Sequence, residues 1–278
     1  MGMQCFTAIS VDYWNVMAGQ HNVRNSYGVL ILHGFTAKLD SVAALCAPLR
    51  ELGIPVSMPL LAGHGASSPE ALRGVGWEAW MADADKALQN LLFDAEQVIV
   101  IGHSMGALLS LNLAVRYQGK IDSLILAAPA IKLVSVLAPG RPLHFAAPLL
   151  SRFIKSWGLQ ALSSSSQSSA SILHYSWVPT DAIISFFELI KQSWPLLDLV
   201  TIPLLILHCR QEKTVLPESA TIVYNRVSSE PSVKSIVWLE YSGHQIFCDC
   251  EKEKAIQTII DYVSGRIGRN NENSVPGH

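Results

Sequence analysis

The chain has 278 residues, half of them hydrophobic, with 20 basic against 22 acidic side chains and a formal charge of −2. That balance, with no Lys/Arg cluster and no acidic run, argues against a nucleic-acid-binding surface and against a charged tail. The length fits one large α/β domain, or one domain with a small insertion, and buries about three quarters of its unfolded surface.

The chain opens with MGMQCFTAISVDYWN, which has no basic segment ahead of an apolar core, so no secretory leader is expected. It also lacks the Ser/Thr that the myristoylation pattern needs after Gly2. The first apolar run is YGVLILHGF (27–35), and the pattern predicts a helix over 39–52. A second run, IPVSMPLLAGHG (54–65), precedes a helix over 77–93. QVIVIGHS (97–104) leads directly into a helix over 105–117, and DSLILAAPA (122–130) follows. The rhythm then breaks. Residues 131–198 hold no good parallel-strand pattern, but LAPGRPLHFAAPLL, a serine run SSSSQSS (163–169) and a helical stretch near 180–194. Their apolar content is too high for a solvated loop, so they read as a helical cap over a site, with the serine run as a hinge or lid. The rhythm resumes with PLLILHCRQ (203–211), a helix over 216–228, SIVWLEYSGH (235–244) and a helix over 251–264. The tail 268–278, GRNNENSVPGH, reads as disordered.

Short runs rich in Val, Ile and Leu, alternating with helices, read as a mostly parallel, doubly wound sheet covered on both faces. The core is expected over 1–130 and 199–267, with the cap over 131–198. Function then belongs at the carboxyl ends of the strands. No run of about 18 apolar residues occurs, so no membrane span is expected. The five cysteines are odd in number and match no zinc spacing; Cys248-Asp249-Cys250 is one residue too tight for CxxC. Free thiols in a reducing, cytoplasmic setting are expected.

Gly102-His103-Ser104-Met105-Gly106 fits the G-x-S-x-G elbow, in which a sharp strand-to-helix turn lifts a serine hydroxyl out of the sheet. The pattern follows a good strand and opens a good helix, the context it requires. The helix N-terminus favours negative charge beside the serine. His33-Gly34-Phe35 ends another strand, and the N–H groups of Phe35 and Met105 are assigned as oxyanion donors. Ser242-Gly243-His244 follows the last strand and places His244 as the base. His64 and His208 read as structural, His103 as a packing or loop-bonding residue, and His144 and His174 as cap residues able to touch substrate. Glu212 is the first acid after the 203–211 strand and keeps the chain order serine, acid, histidine. Asp198, Asp181 and Glu218 are the competing carboxylates, and Glu218 also reads as a first-turn residue complementing a helix dipole.

This constellation resembles the α/β-hydrolase superfamily, and within it the bacterial carboxylesterase and monoacylglycerol lipase group. The resemblance runs from about 27 to 264. It rests on LILHGFT (30–36), PLLAGHGASSPEAL (59–72), VIVIGHSMGALLSL (98–111), CRQEKTVLPESA (209–220) and SGH (242–244). It implies an aspartate where this chain carries Glu212. It also implies a serine carboxylesterase acting on short- to medium-chain esters through an acyl-enzyme, with no metal or organic cofactor. A small-molecule ester or a monoacylglycerol is the expected partner, and the protein is expected to be a monomer or homodimer. Phe35, Leu143, Phe145, Phe186 and Phe187 are the candidate pocket residues. Monoacylglycerol lipase is the near alternative. Other bond types served by the same residues, aminopeptidase included, and a slow ligand sensor on the same fold remain open.

Overall fold

The computed structural model describes residues 24–159 and 174–273. The expected hinge SSSSQSS (163–169) and the last residues of the tail lie outside them.

Six apolar runs form strands: β1 (Asn25–Leu32), β2 (Val56–Ser57), β3 (Ala95–His103), β4 (Ile121–Ala127), β7 (Leu204–Cys209) and β8 (Lys234–Leu239). They lie in the order β2-β1-β3-β4-β7-β8, and each pairing is parallel. The register carries Leu30 to Val100, Val100 to Leu124 and Leu124 to Leu204 across the middle of the sheet. Successive residues of one strand enter opposite cores. Leu30 and Leu32 pack with Trp80, Leu88, Leu108 and Val223, whereas Val29 and Ile31 pack with Leu45, Leu49, Ile259 and Val263. A strand buried on both sides has no polar face, hence the continuous apolar runs. Helices α2 (Trp77–Asp94), α3 (Met105–Arg116) and α6 (Glu218–Arg226) cover one face. Helices α1 (Cys46–Glu51) and α7 (Lys252–Asn273) cover the other.

Two elements are shorter than their patterns suggest. The helix expected over 39–52 starts only at Cys46, after two 3-10 turns at Leu39–Ser41 and Ala43–Leu45. Pro48 explains the break. Inside a helix its ring would clash with the Ala44 carbonyl, whereas in the first turn its missing N–H costs nothing. The run 54–65 gives only the two residues of β2. Pro55 and Pro59 bracket it, and a strand so interrupted belongs at a sheet edge, where β2 sits. Conversely, α7 continues to Asn273, into the stretch read as a disordered tail.

Between β4 and β7 the chain leaves the sheet. It forms α4 (Ala147–Phe153), β5 (Ser156–Gly158), β6 (Trp177–Pro179) and α5 (Thr180–Ser193). The antiparallel β5–β6 pair was not foreseen, because three-residue strands leave no periodic signal. Helix α5 anchors this excursion, burying Phe186, Phe187, Leu189 and Ile190 in the larger core.

Candidate active site

The turns after β1, β3, β7 and β8 meet at the carboxyl edge of the sheet. Ser104 occupies the turn between β3 and α3 with φ 55° and ψ −112°. That region is sparsely populated for a residue with a Cβ, at a cost on the order of 1–3 kcal/mol. The flanking glycines make the turn sterically feasible. A Cβ on Gly102 would sit 2.4 Å from the Gly106 carbonyl oxygen, and one on Gly106 would sit 2.1 Å from that of Leu32. The HGF turn lies alongside at a looser approach, since a Cβ on Gly34 would sit 3.2 Å from the Ser104 Cβ.

Ser104, His244 and Glu212 form one hydrogen-bonded chain. His244 Nε2 lies 3.0 Å from Ser104 Oγ, and His244 Nδ1 lies 2.8 Å from Glu212 Oε2. All three residues are buried. A carboxylate only accepts, so Nδ1–H donates to Glu212 and Nε2 is left to accept the serine proton. The second oxygen, Oε1, accepts from the Thr214 amide at 2.7 Å. Burial alone pushes the Glu212 carboxyl up. The His244 charge and hydrogen bond, with the Thr214 amide, outweigh burial and hold it at about 2.

Neutral imidazoles brace this chain. His103 Nε2–H donates to the His244 backbone carbonyl at 2.8 Å, tying the elbow to the histidine loop. His33 Nδ1–H donates to the Gly34 carbonyl at 2.9 Å, and its Nε2 accepts from the Leu61 amide at 3.1 Å, fixing the HGF turn. Burial pushes His33 down to about 4; burial, reinforced by His244, pushes His103 down to about 3. The His244 loop is held again by the turn just before α7. Glu251 Oε2 accepts from the Tyr241 and Ser242 amides at 2.8 and 3.1 Å, and Asp249 Oδ2 from Gly243 at 2.7 Å. Sequence reasoning missed Glu251 and Asp249. Their only signal was two acids shortly after SGH.

The Met105 amide opens α3, where helix geometry leaves it no acceptor within its own helix. Phe35 follows Gly34 in the tight turn beside Ser104, its ring stacked on Phe186 at 4.9 Å. The other candidates are engaged elsewhere. Asp198 pairs with Arg226, Glu218 with Lys132, and Asp181 accepts from the Gly74 amide at 2.8 Å. His64 is packed against His33 and Trp80, and His208 Nδ1–H donates to the Cys209 carbonyl at 3.1 Å.

A cavity of about 220 Å³ opens above Ser104 and His244. Its walls are mainly apolar: Leu133, Leu137, Leu150, Trp157, Ile183, Ile184 and Phe187. Phe35, Phe186 and Phe187 line it as expected, but Leu143 and Phe145 do not; they face outward. His174 lies in the wall, its Nδ1 3.2 Å from Thr36 Oγ1. Among the described residues no cluster of His, Cys, Asp or Glu has metal-binding geometry, and no helix is long and apolar enough to cross a membrane.

A parallel sheet bearing an elbow serine, a carboxylate and a histidine in that chain order defines a hydrolase of the α/β-hydrolase class. The comparisons narrow the class. The chain belongs to the family described as serine aminopeptidase, S33 (Hydrolase_4), whose model matches residues 25–251. It is 27% identical over 238 residues to a carboxylesterase of Bacillus subtilis, covering 84% of this chain and 91% of that protein. It is 26% identical to a thermostable monoacylglycerol lipase of Bacillus sp., covering 87% and 92%. Among solved structures it is similar to a metagenome-derived lipolytic enzyme of the LipS and LipT study, with a TM-score of 0.77 at 24% identity over 87% and 95% of the chains. It is also similar to the monoacylglycerol lipase of Paleococcus ferrophilus, with a TM-score of 0.67 at 19% identity over 86% and 95%.

Proposed function

We propose that the protein is a serine carboxylesterase for short- to medium-chain esters, acting through an acyl-enzyme. The observation that carries the reading is the unbroken chain Ser104–His244–Glu212, with bonds of 3.0 and 2.8 Å, at the floor of an apolar cavity. Ser104 Oγ attacks the ester carbonyl while His244 Nε2 takes its proton. The Phe35 and Met105 amides hold the oxyanion. The imidazolium, charged beside the Glu212 carboxylate, returns the proton to the leaving alcohol. A water deprotonated by His244 then cleaves the acyl-enzyme, and Ser104 is regenerated. Residues 131–198 act as the cap, with Leu133, Leu137, Leu150, Trp157, Ile183 and Phe187 forming acyl walls, on a core of 1–130 and 199–267.

A monoacylglycerol substrate is the second reading, supported by the Bacillus relative and by the mainly apolar lining of the cavity. Aminopeptidase activity fits less well. It calls for a carboxylate facing the substrate amine, and among the described residues none of those lining the cavity is Asp or Glu. A cytoplasmic location fits Cys46, Cys209, Cys248 and Cys250, all of them free thiols.

Hydrolysis of p-nitrophenyl esters from acetate to palmitate, and of a monoacylglycerol, by wild type and Ser104→Ala tests this. The expected result is an optimum at butyrate to octanoate that vanishes in the variant. Turnover retained by Ser104→Ala would sink the mechanism, and an optimum at palmitate or on the glyceride would favour the lipase reading.

A further inference from the structure

We infer that His174 is a positioning residue for the oxyanion hole, holding the Phe35 amide at Ser104 through the side chain of Thr36. The inference rests on the esterase reading above, in which that amide is one of two oxyanion donors.

The turn that carries Phe35 is closed by the Ala37 amide donating to the Gly34 carbonyl at 3.3 Å, with Phe35 and Thr36 at its centre. Thr36 stands there with φ 62°. Turns with positive φ at that place usually use glycine, and a β-branched residue in it is strained. What threonine has and glycine lacks is a side chain that can be held. Thr36 is buried, and its hydroxyl lies 3.2 Å from His174 Nδ1. The chain just before β6 runs along this turn. Ala37 and His174 form an antiparallel bridge, and the Tyr175 amide donates to the Thr36 carbonyl at 3.3 Å. The His174 ring also lies against the Phe35 carbonyl and against the side chain of Gln245, the residue after His244. One imidazole therefore touches both loops that flank the reacting serine.

Two further observations fit a fixed strut. Tyr175 is pinned on its far side, its hydroxyl donating to the Gly63 carbonyl and accepting from the Ala66 amide, both at 2.9 Å. Burial, above all, holds the His174 imidazole down at about 4, so at neutral pH it carries no charge to oppose the His244 imidazolium. The turn is then gripped at both ends, with His33 on the Gly34 carbonyl and His174 on the Thr36 hydroxyl.

The test pairs p-nitrophenyl butyrate kinetics with inhibition by an alkyl trifluoromethyl ketone, on the full-length protein. Ser104 Oγ adds to the ketone carbon, its proton passes to His244, and the former carbonyl oxygen becomes an oxyanion in the hole. Removing one oxyanion donor costs about 10²–10³-fold in kcat, so displacing one is expected to cost about tenfold to thirtyfold. His174→Ala should lower kcat by that factor with KM unchanged, and weaken the ketone equally. The non-reacting alkyl amide of the same length should bind as before. Thr36→Val keeps the shape, removes the hydroxyl and should match it, with the double variant no worse than either single one. His174→Asn, which restores a polar group near Nδ1, should return kcat to within about threefold of wild type. Unchanged kcat and ketone affinity in His174→Ala and Thr36→Val overturn the inference and leave the esterase reading standing. A loss shared equally by ketone and amide, with KM raised, also overturns it, because His174 would then contact substrate. A wild-type enzyme that the ketone does not inhibit takes the esterase reading and this inference down together.

Discussion

Replacing Glu212 by glutamine changes one atom at the least conventional position of the site. The carboxyl is held at about 2 against an ordinary 4.5, so its surroundings favour the charged form by about 3 kcal/mol. The His244 charge and hydrogen bond are the main causes that lower it, so removing the carboxylate withdraws support from the imidazolium that forms when His244 takes the serine proton. A second penalty follows from the hydrogen bonds. The Thr214 amide donates to Oε1, so a glutamine turns its carbonyl oxygen to Thr214 and its NH₂ to His244 Nδ1. An imidazole accepting at Nδ1 carries its proton at Nε2, where it can no longer take the serine proton. The two effects together predict a fall in kcat of about 10³–10⁴ with little change in KM. Steady-state hydrolysis of p-nitrophenyl butyrate reads both constants. Asp198→Asn is the control, since Asp198 pairs with Arg226 away from the site. A Glu212→Gln enzyme within tenfold of wild type, with Asp198→Asn inactive, would refute the assignment.

Ser104 predicts an opposite pair of effects. Ser104→Gly should be as inactive as Ser104→Ala yet melt a few degrees higher, because glycine relieves the strain of φ 55° by about 1 kcal/mol; equal melting temperatures would deny the strain. Acid sensitivity follows from the buried imidazoles. Burial is the main cause holding His33 and His174 at about 4 and His64 and His103 at about 3, against an ordinary 6.5. Between those values the unfolded chain binds more protons than the folded one, so stability falls as pH falls. Four such groups give a slope on the order of 5 kcal/mol per pH unit. Circular dichroism should show unfolding near pH 5, and a melting temperature unchanged from pH 7 to 4.5 would contradict it.

The sheet was legible because its strands are buried on both faces and therefore announce themselves as Val/Ile/Leu runs ending in Gly, Ser or Pro. The α/β-hydrolase class followed from Ser104 between two glycines whose Cβ positions are occupied by backbone. Glu212 was found as the first acid after the 203–211 strand and through the resemblance of CRQEKTVLPESA, whereas Glu218, just past Pro217, read as a first-turn residue of the next helix. The acyl walls were harder. Leu143 and Phe145 carry the same apolar signal as Phe186 and Phe187, and periodicity does not say which side of a short helix meets a cavity. The residues that brace the histidine loop were invisible for another reason. Glu251 and Asp249 work through backbone amides, which have no sequence signature at the receiving end.

The bracing explains why so polar a site can rest in so apolar a molecule. The turns that present the reacting groups are fixed by side chains bonded to backbone: His33 in the HGF turn, His103 and Glu251 in the His244 loop, and Glu212 itself on the Thr214 amide. The carboxylate braces Glu251 and Asp249 direct their charge at backbone amides, whereas the imidazoles held neutral orient the loops without adding to the field at His244. The electrostatic contrast is thereby left to one pair, Glu212 and His244, where charge develops during the reaction. The same economy makes the site vulnerable to acid, because protonating either bracing histidine puts a cation beside the one that catalysis must form.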